Sequence, residues 1–97
     1  MELADNQKFI FDLILKISKQ TQSDLVKYYT EWVYFLPGQS IEVGGVNLDD
    51  EVKLLDYGLD DLEQIASMGY LKKEEEVLGN PTFFEKTVRY RLVYDLA

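Results

Sequence analysis

Apolar residues recur at helical spacing through much of this chain and switch to strict alternation after Gly69. That change of period limits the folds open to it, because each period fixes which side chains share a face. Phe9, Leu13 and Ile17 fall at i, i+4 and i+8, with Ile10 and Ile14 in the adjacent row. Phe11 and Leu15 widen this face, and only Asp12 and Lys16 mark a wet side. The spacing predicts a helix over 6–17. Leu25, Tyr29, Trp32, Val33 and Leu36 also fit one helical face, with Tyr28 and Phe35 beside it, which predicts a second helix over 24–35. Thr21 or Ser23 is its candidate N-cap, and Pro37-Gly38 ends it. No Gly or Pro interrupts 6–35, so one long helix remains open.

Ile41, Val43, Val46 and Leu48 surround Gly44-Gly45 and predict a short hairpin or a bent strand. Asp49 or Asp50 is then placed to cap a short helix carrying Val52, Leu54 and Leu55, with Gly58 as its left-handed terminus. Leu59, Leu62, Ile65 and Ala66 predict a further helix that stops at Gly69. Strands are predicted over 70–77 and 86–94, where Val88, Tyr90, Leu92 and Tyr94 alternate with Thr87, Arg89, Arg91 and Val93. Lys72, Glu74 and Glu76 would then lie near Arg89 and Arg91, as opposite charges on paired strands prefer. The expected fold is α+β in one domain: a helical N-terminal half and a C-terminal two-stranded hairpin. Leu13, Ile17, Trp32, Leu55, Leu62, Ile65 and Leu92 are the expected core.

Helix, short turn, helix, Gly, hairpin is also the order of a winged helix. The stretch Gly58-Leu59-Asp60-Asp61-Leu62-Glu63-Gln64-Ile65-Ala66-Ser67-Met68-Gly69-Tyr70-Leu71-Lys72-Lys73 resembles the third helix and first wing strand of winged-helix proteins. Tyr90-Arg91-Leu92 resembles the returning wing strand, so the resemblance spans residues 49–94. It implies a small winged-helix-like domain whose third helix, in DNA-binding members, enters the major groove.

The charge pattern opposes that use. Residues 37–69 hold eight acids (Glu42, Asp49, Asp50, Glu51, Asp56, Asp60, Asp61, Glu63) against Lys53, within a chain of net charge −8. Phosphate contacts supply much of a protein's affinity for DNA, and here the reading helix would present Asp60, Asp61 and Glu63. Nucleic-acid binding by the isolated chain is therefore not expected, and the protein-binding branch of the superfamily fits better.

The chain has no Cys and no His. Disulfides, thiolate metal sites and cysteine nucleophiles are excluded, as is the commonest general base. No signal peptide or membrane-spanning run is recognised, so a cytoplasmic setting is expected. The acids around Asp49-Asp50-Glu51 and Asp56-Tyr57-Gly58-Leu59-Asp60-Asp61 do not keep calcium-loop register. Helix capping accounts for them as well. No cofactor, metal site or catalytic residue is expected, and the chain reads as a non-enzyme.

Two function classes follow. One is a protein-interaction module: an adaptor, an inhibitor or an assembly subunit. A variant of it is an acidic decoy that resembles small phage inhibitors in charge only. The other is a winged-helix regulator that binds DNA as a dimer. The candidate partner-binding residues are Asp49, Asp50, Asp56, Asp60, Asp61 and Glu63 on the acidic surface, and Phe83 and Phe84 in the turn after Gly79-Asn80-Pro81. The wide face of 9–17 and the aromatic cluster Tyr28, Tyr29, Trp32, Tyr34 and Phe35 are candidates for a homodimer seam.

Overall fold

The computed structural model describes residues 3–33 and 36–93. The elements run α1 (Asp5–Thr21), β1 (Leu25–Val33), β2 (Leu36–Val43), β3 (Val46–Asn47), α2 (Asp49–Val52), α3 (Leu59–Ser67), β4 (Leu71–Leu78) and β5 (Lys86–Leu92), with a 3-10 turn at Pro81–Phe83 before β5. The strands form one antiparallel sheet in the order β3-β2-β1-β5-β4.

This corrects the expected fold class. The fold is α+β, but its N-terminal half is helical only in α1 and its sheet is not a two-stranded wing. The β4–β5 hairpin forms where alternation predicted it, and it supplies two of the five strands of a sheet that β1 joins to β2 and β3. The decisive segment is 25–33, expected as helix and found as the central strand. Val26, Tyr28, Tyr29, Thr30, Trp32 and Val33 are β-branched or aromatic, and such side chains suit a pleated surface better than a helix. Val26 and Tyr28 face the core, and Lys27, Tyr29 and Glu31 lie on the other side. One long helix over 6–35 is likewise overturned. Gln22 adopts a left-handed conformation (φ 55°) at the end of α1 and turns the chain into β1. Tyr34, Phe35 and Tyr94 lie outside the described residues.

Helix α1 forms where the spacing predicted, but its fully buried row is Ile10, Ile14 and Ser18. Ser18 tolerates burial because its hydroxyl donates to the Ser23 carbonyl. Leu13 and Ile17 pack at the edge of the core and are partly buried. The Gly44-Gly45 turn joins β2 to β3 as expected. Gly44 has φ 57°, and a Cβ there would run into the Thr21 side chain, so only glycine suits the turn and the close approach of α1.

The core consists of Ile10 and Ile14 from α1, Leu62 and Ile65 from α3, Leu48 and Val52 around α2, and the sheet residues Val26, Tyr28, Ile41, Val43, Leu71, Val88, Tyr90 and Leu92. Burying an aliphatic side chain of this size contributes about 1.5–3 kcal/mol. Of the expected core, Leu62, Ile65 and Leu92 are buried, and Leu55 is partly buried. Trp32 is corrected outright: it is 49% exposed.

Gly58 is also corrected. Its backbone is extended, and it heads α3 instead of closing α2. Asp61 accepts the Gly58 N–H at 2.9 Å, which satisfies a donor that the helix itself leaves free. At the other end, Gly69 (φ 88°) donates to the Ala66 carbonyl and lets the chain leave for β4. Among the described residues, no helix is long and apolar enough to cross a membrane.

Candidate functional site

The sheet is longer than the helical layer that covers it. Tyr28 and Val88 pair across β1 and β5 beneath the helices. One step further along, Thr30 pairs with Lys86 and Lys86 with Leu78, on the same side of the sheet. Trp32 lies beyond Thr30. This end of the sheet is left open as a groove of about 430 Å³. Thr30, Trp32 and Lys86 form its floor, with Leu78 at the side and Leu59 from the start of α3. Pro81 and Phe84 come from the turn between β4 and β5. Leu78 and Phe84 are each 72% exposed, so the groove presents apolar surface to solvent.

The turn that carries Phe84 is fixed by local bonds. Asn80 accepts the Thr82 N–H through its side chain at 2.9 Å, and Glu85 accepts the Asn80 N–H at 3.2 Å. Pro81 opens the 3-10 turn with its preset φ. Phe84 closes it in the left-handed region, with φ 53°. A non-glycine residue there costs about 1–2 kcal/mol relative to an ordinary conformation. The exposed ring recovers little of that through burial. Phe83 is half-buried.

The acidic residues separate into two groups. Asp49 accepts the Ile41 N–H at 3.1 Å and extends the short β3 edge. Asp61 caps α3 and also accepts from Gln7 Nε2 at 3.0 Å. Glu63 lies 2.9 Å from Lys73 Nζ, a pair that raises the lysine pKa. These three serve the fold. Asp50, Asp56 and Asp60 are exposed and make no ion pair among the described residues.

Asp56, Asp60 and Asp61 line a second, open depression together with Asn6, Trp32, Tyr57, Gly58 and Leu59. The loop beneath it is held from two neighbouring elements. Asn6 Nδ2 donates to the Asp56 carbonyl at 2.9 Å, and Gln39 Nε2 donates to the Tyr57 carbonyl at 2.9 Å. Gln39 in turn accepts the Tyr28 hydroxyl at 2.7 Å. Tyr57 packs edge-on to Tyr28, and burial raises the pKa of its hydroxyl far above the usual range.

Trp32 and Leu59 line both depressions. The structure therefore joins Phe84 to Asp56 and Asp60 in one surface, although they are remote in sequence. Asp49 and Asp50 are not part of it. Sequence reasoning placed Trp32 on a helical face, in the core and at a candidate dimer seam, and did not join it to the acidic surface or to Phe84. The exposure of Trp32 depends on β1 being a strand that outruns the helices, and the alternation of Val26, Tyr28, Thr30 and Trp32 was the available signal.

Away from this surface, on the Val26 rung of the sheet, Tyr90 buries its hydroxyl without a hydrogen bond of standard geometry among the described residues. Burial and then the nearby Glu63 carboxylate raise its pKa, while Glu63 itself is held by Lys73. Among the described residues, no three acidic side chains come together as a metal site. The surface offers apolar contact area and fixed negative charge. No protein-family model matches the chain, and neither a curated protein nor a solved structure does.

Proposed function

We propose that this protein is a non-enzymatic interaction module, acting in the cytoplasm, that binds another protein through the surface running from Phe84 over Trp32 to Asp60. The observation that carries the reading is the sharing of Trp32 and Leu59 by the apolar groove and the acidic depression. Buried aromatic anchors dominate binding energy at interfaces, and flanking charges set association rate and specificity. The surface supplies both on a firmly hydrogen-bonded support. Affinity capture from the source cell, run in parallel with the native chain and with Phe84→Ala and Trp32→Ala variants, tests it. A partner held by the native chain and lost with both variants is the expected result. Partners retained equally by all three would overturn the reading.

The acidic decoy is a second reading, favoured by Asp50, Glu51, Asp56 and Asp60 having no ion pair among the described residues. It differs in being carried by charge alone. Its partner would be released by salt and would ignore the Phe84→Ala change.

A further inference from the structure

The groove has charged neighbours at both ends, and they are not equivalent. On the hairpin side, Lys86 lies 3.8 Å from Glu76, and Glu85 is engaged by the Asn80 N–H. On the α3 side, Asp56 and Asp60 are exposed and have no cation beside them among the described residues. Glu85 at the hairpin end has no cation either, but its carboxylate is tied into the turn, so the negative charge open to a ligand is that of Asp56 and Asp60. We infer that the groove takes a short segment of another protein with one bulky apolar side chain, and with Lys or Arg residues on the side that reaches Asp56 and Asp60. The apolar side chain lies between Trp32, Leu78 and Phe84. The cations reach the depression where Trp32 and Tyr57 flank the two carboxylates. Carboxylates draw a cation in, and an indole face adds a cation–π attraction for a guanidinium or ammonium group.

Charge also argues against the competing occupants. A second copy brought against this face would carry the same net −8 and place acids against acids. A nucleic acid could stack on Trp32 and Phe84, but its phosphates would meet Asp56 and Asp60 with nothing to neutralise them. A basic peptide gains from both features of the surface.

The inference rests on the protein-binding reading, and the test separates the two. A library of random linear peptides displayed on phage is selected against the purified full chain. Enriched peptides are then synthesised and titrated while the emission of Trp32, the single tryptophan of the chain, is followed. The expected peptides combine an apolar anchor with an excess of Lys and Arg, and they shift the emission to the blue as the indole leaves water. Phe84→Ala should weaken them by about tenfold. Asp56→Asn with Asp60→Asn should slow association by about tenfold at low salt and flatten its salt dependence. Both variants change exposed side chains, and a matching circular-dichroism spectrum and unfolding midpoint would show that each is folded.

Peptides that depend on Phe84 but are acidic or neutral would overturn the inference and leave the protein-binding reading standing. Peptides that ignore Phe84 and leave Trp32 emission unchanged would overturn the inference. So would a library that yields no enrichment. A saturable emission shift with a mixed-sequence oligonucleotide would replace the peptide by nucleic acid. A shift that grows with protein concentration alone would replace it by a second copy.

Discussion

The β4–β5 hairpin and the segment from Asp49 to Glu63 are both rich in charge, and they use it in opposite ways. In the hairpin, Arg91 bridges Asp24 and Glu74 at 2.6 and 2.7 Å, Arg89 holds Glu75, and Lys73 holds Glu63 and Glu76. A bulge between Lys73 and Glu75 lets Glu74 and Glu75 both meet arginines of β5. In the acidic segment, Asp50, Glu51, Asp56 and Asp60 stay without a cation among the described residues. Apart from Lys72, the charged side chains of the two strands are paired within the molecule. Those four acids of the segment have no cation to answer them; Asp50, Glu51 and Asp60 gain only the modest attraction of a helix N-terminus, and all four remain exposed to solvent.

The largest effect expected separates the two sides of α3. Leu62 is fully buried, and Leu62→Ala should destabilise the protein by about 2–5 kcal/mol in denaturant unfolding. Asp60→Asn, two residues away on the wet side, should cost less than about 1 kcal/mol, the small loss of a carboxylate from the first turn of α3. A comparable loss from both would mean that Asp60 serves the fold, and the comparison would fail.

Alkaline pH should come next. Burial raises the pKa values of Tyr28, Tyr57 and Tyr90 above the ordinary value of 10.0. Each holds its proton more tightly when folded, so its contribution is complete below about pH 10 and is lost as pH climbs toward the folded value. Stability measured against pH should fall above about 10, and Tyr57→Phe should flatten that limb. Tyr90→Phe should flatten it as well, since burial and the neighbouring Glu63 carboxylate hold the Tyr90 proton in the folded state.

The exposed pairs of the hairpin should give a smaller effect. Arg91→Gln should cost little, and the loss should vanish at high salt, because exposed ion pairs are weak and screened. A loss that persists in high salt would show packing of the arginine stem instead of charge.

The legible parts of the fold are those where one period alone fits. Helix α1 and the β4–β5 hairpin meet that condition, and so do the Gly44-Gly45 turn and the acidic first turn of α3. The segment 25–33 fits both periods: Leu25, Tyr29, Trp32 and Val33 line up on a helix, while Val26, Tyr28, Thr30 and Trp32 line up on a strand. Tertiary pairing with β2 and β5 decides it, and such pairing is not a local property. Asp56, Asp60 and Phe84 stood out in sequence by charge and turn chemistry. Their union through Trp32 depends on the register that sets Thr30 opposite Lys86 and Lys86 opposite Leu78.

On the proposed reading, Phe84 is held in a strained, exposed position for contact with a partner and not for the fold. Phe84→Gly tests it in one variant, with unfolding and peptide titration read on the same sample. Glycine relieves the left-handed backbone, and its greater freedom when unfolded offsets part of that gain. Stability is expected to be unchanged or raised by up to about 1 kcal/mol, together with a clear loss of peptide affinity. A stability loss of more than about 1 kcal/mol, with affinity intact, would make the ring a structural element and not a contact for a partner.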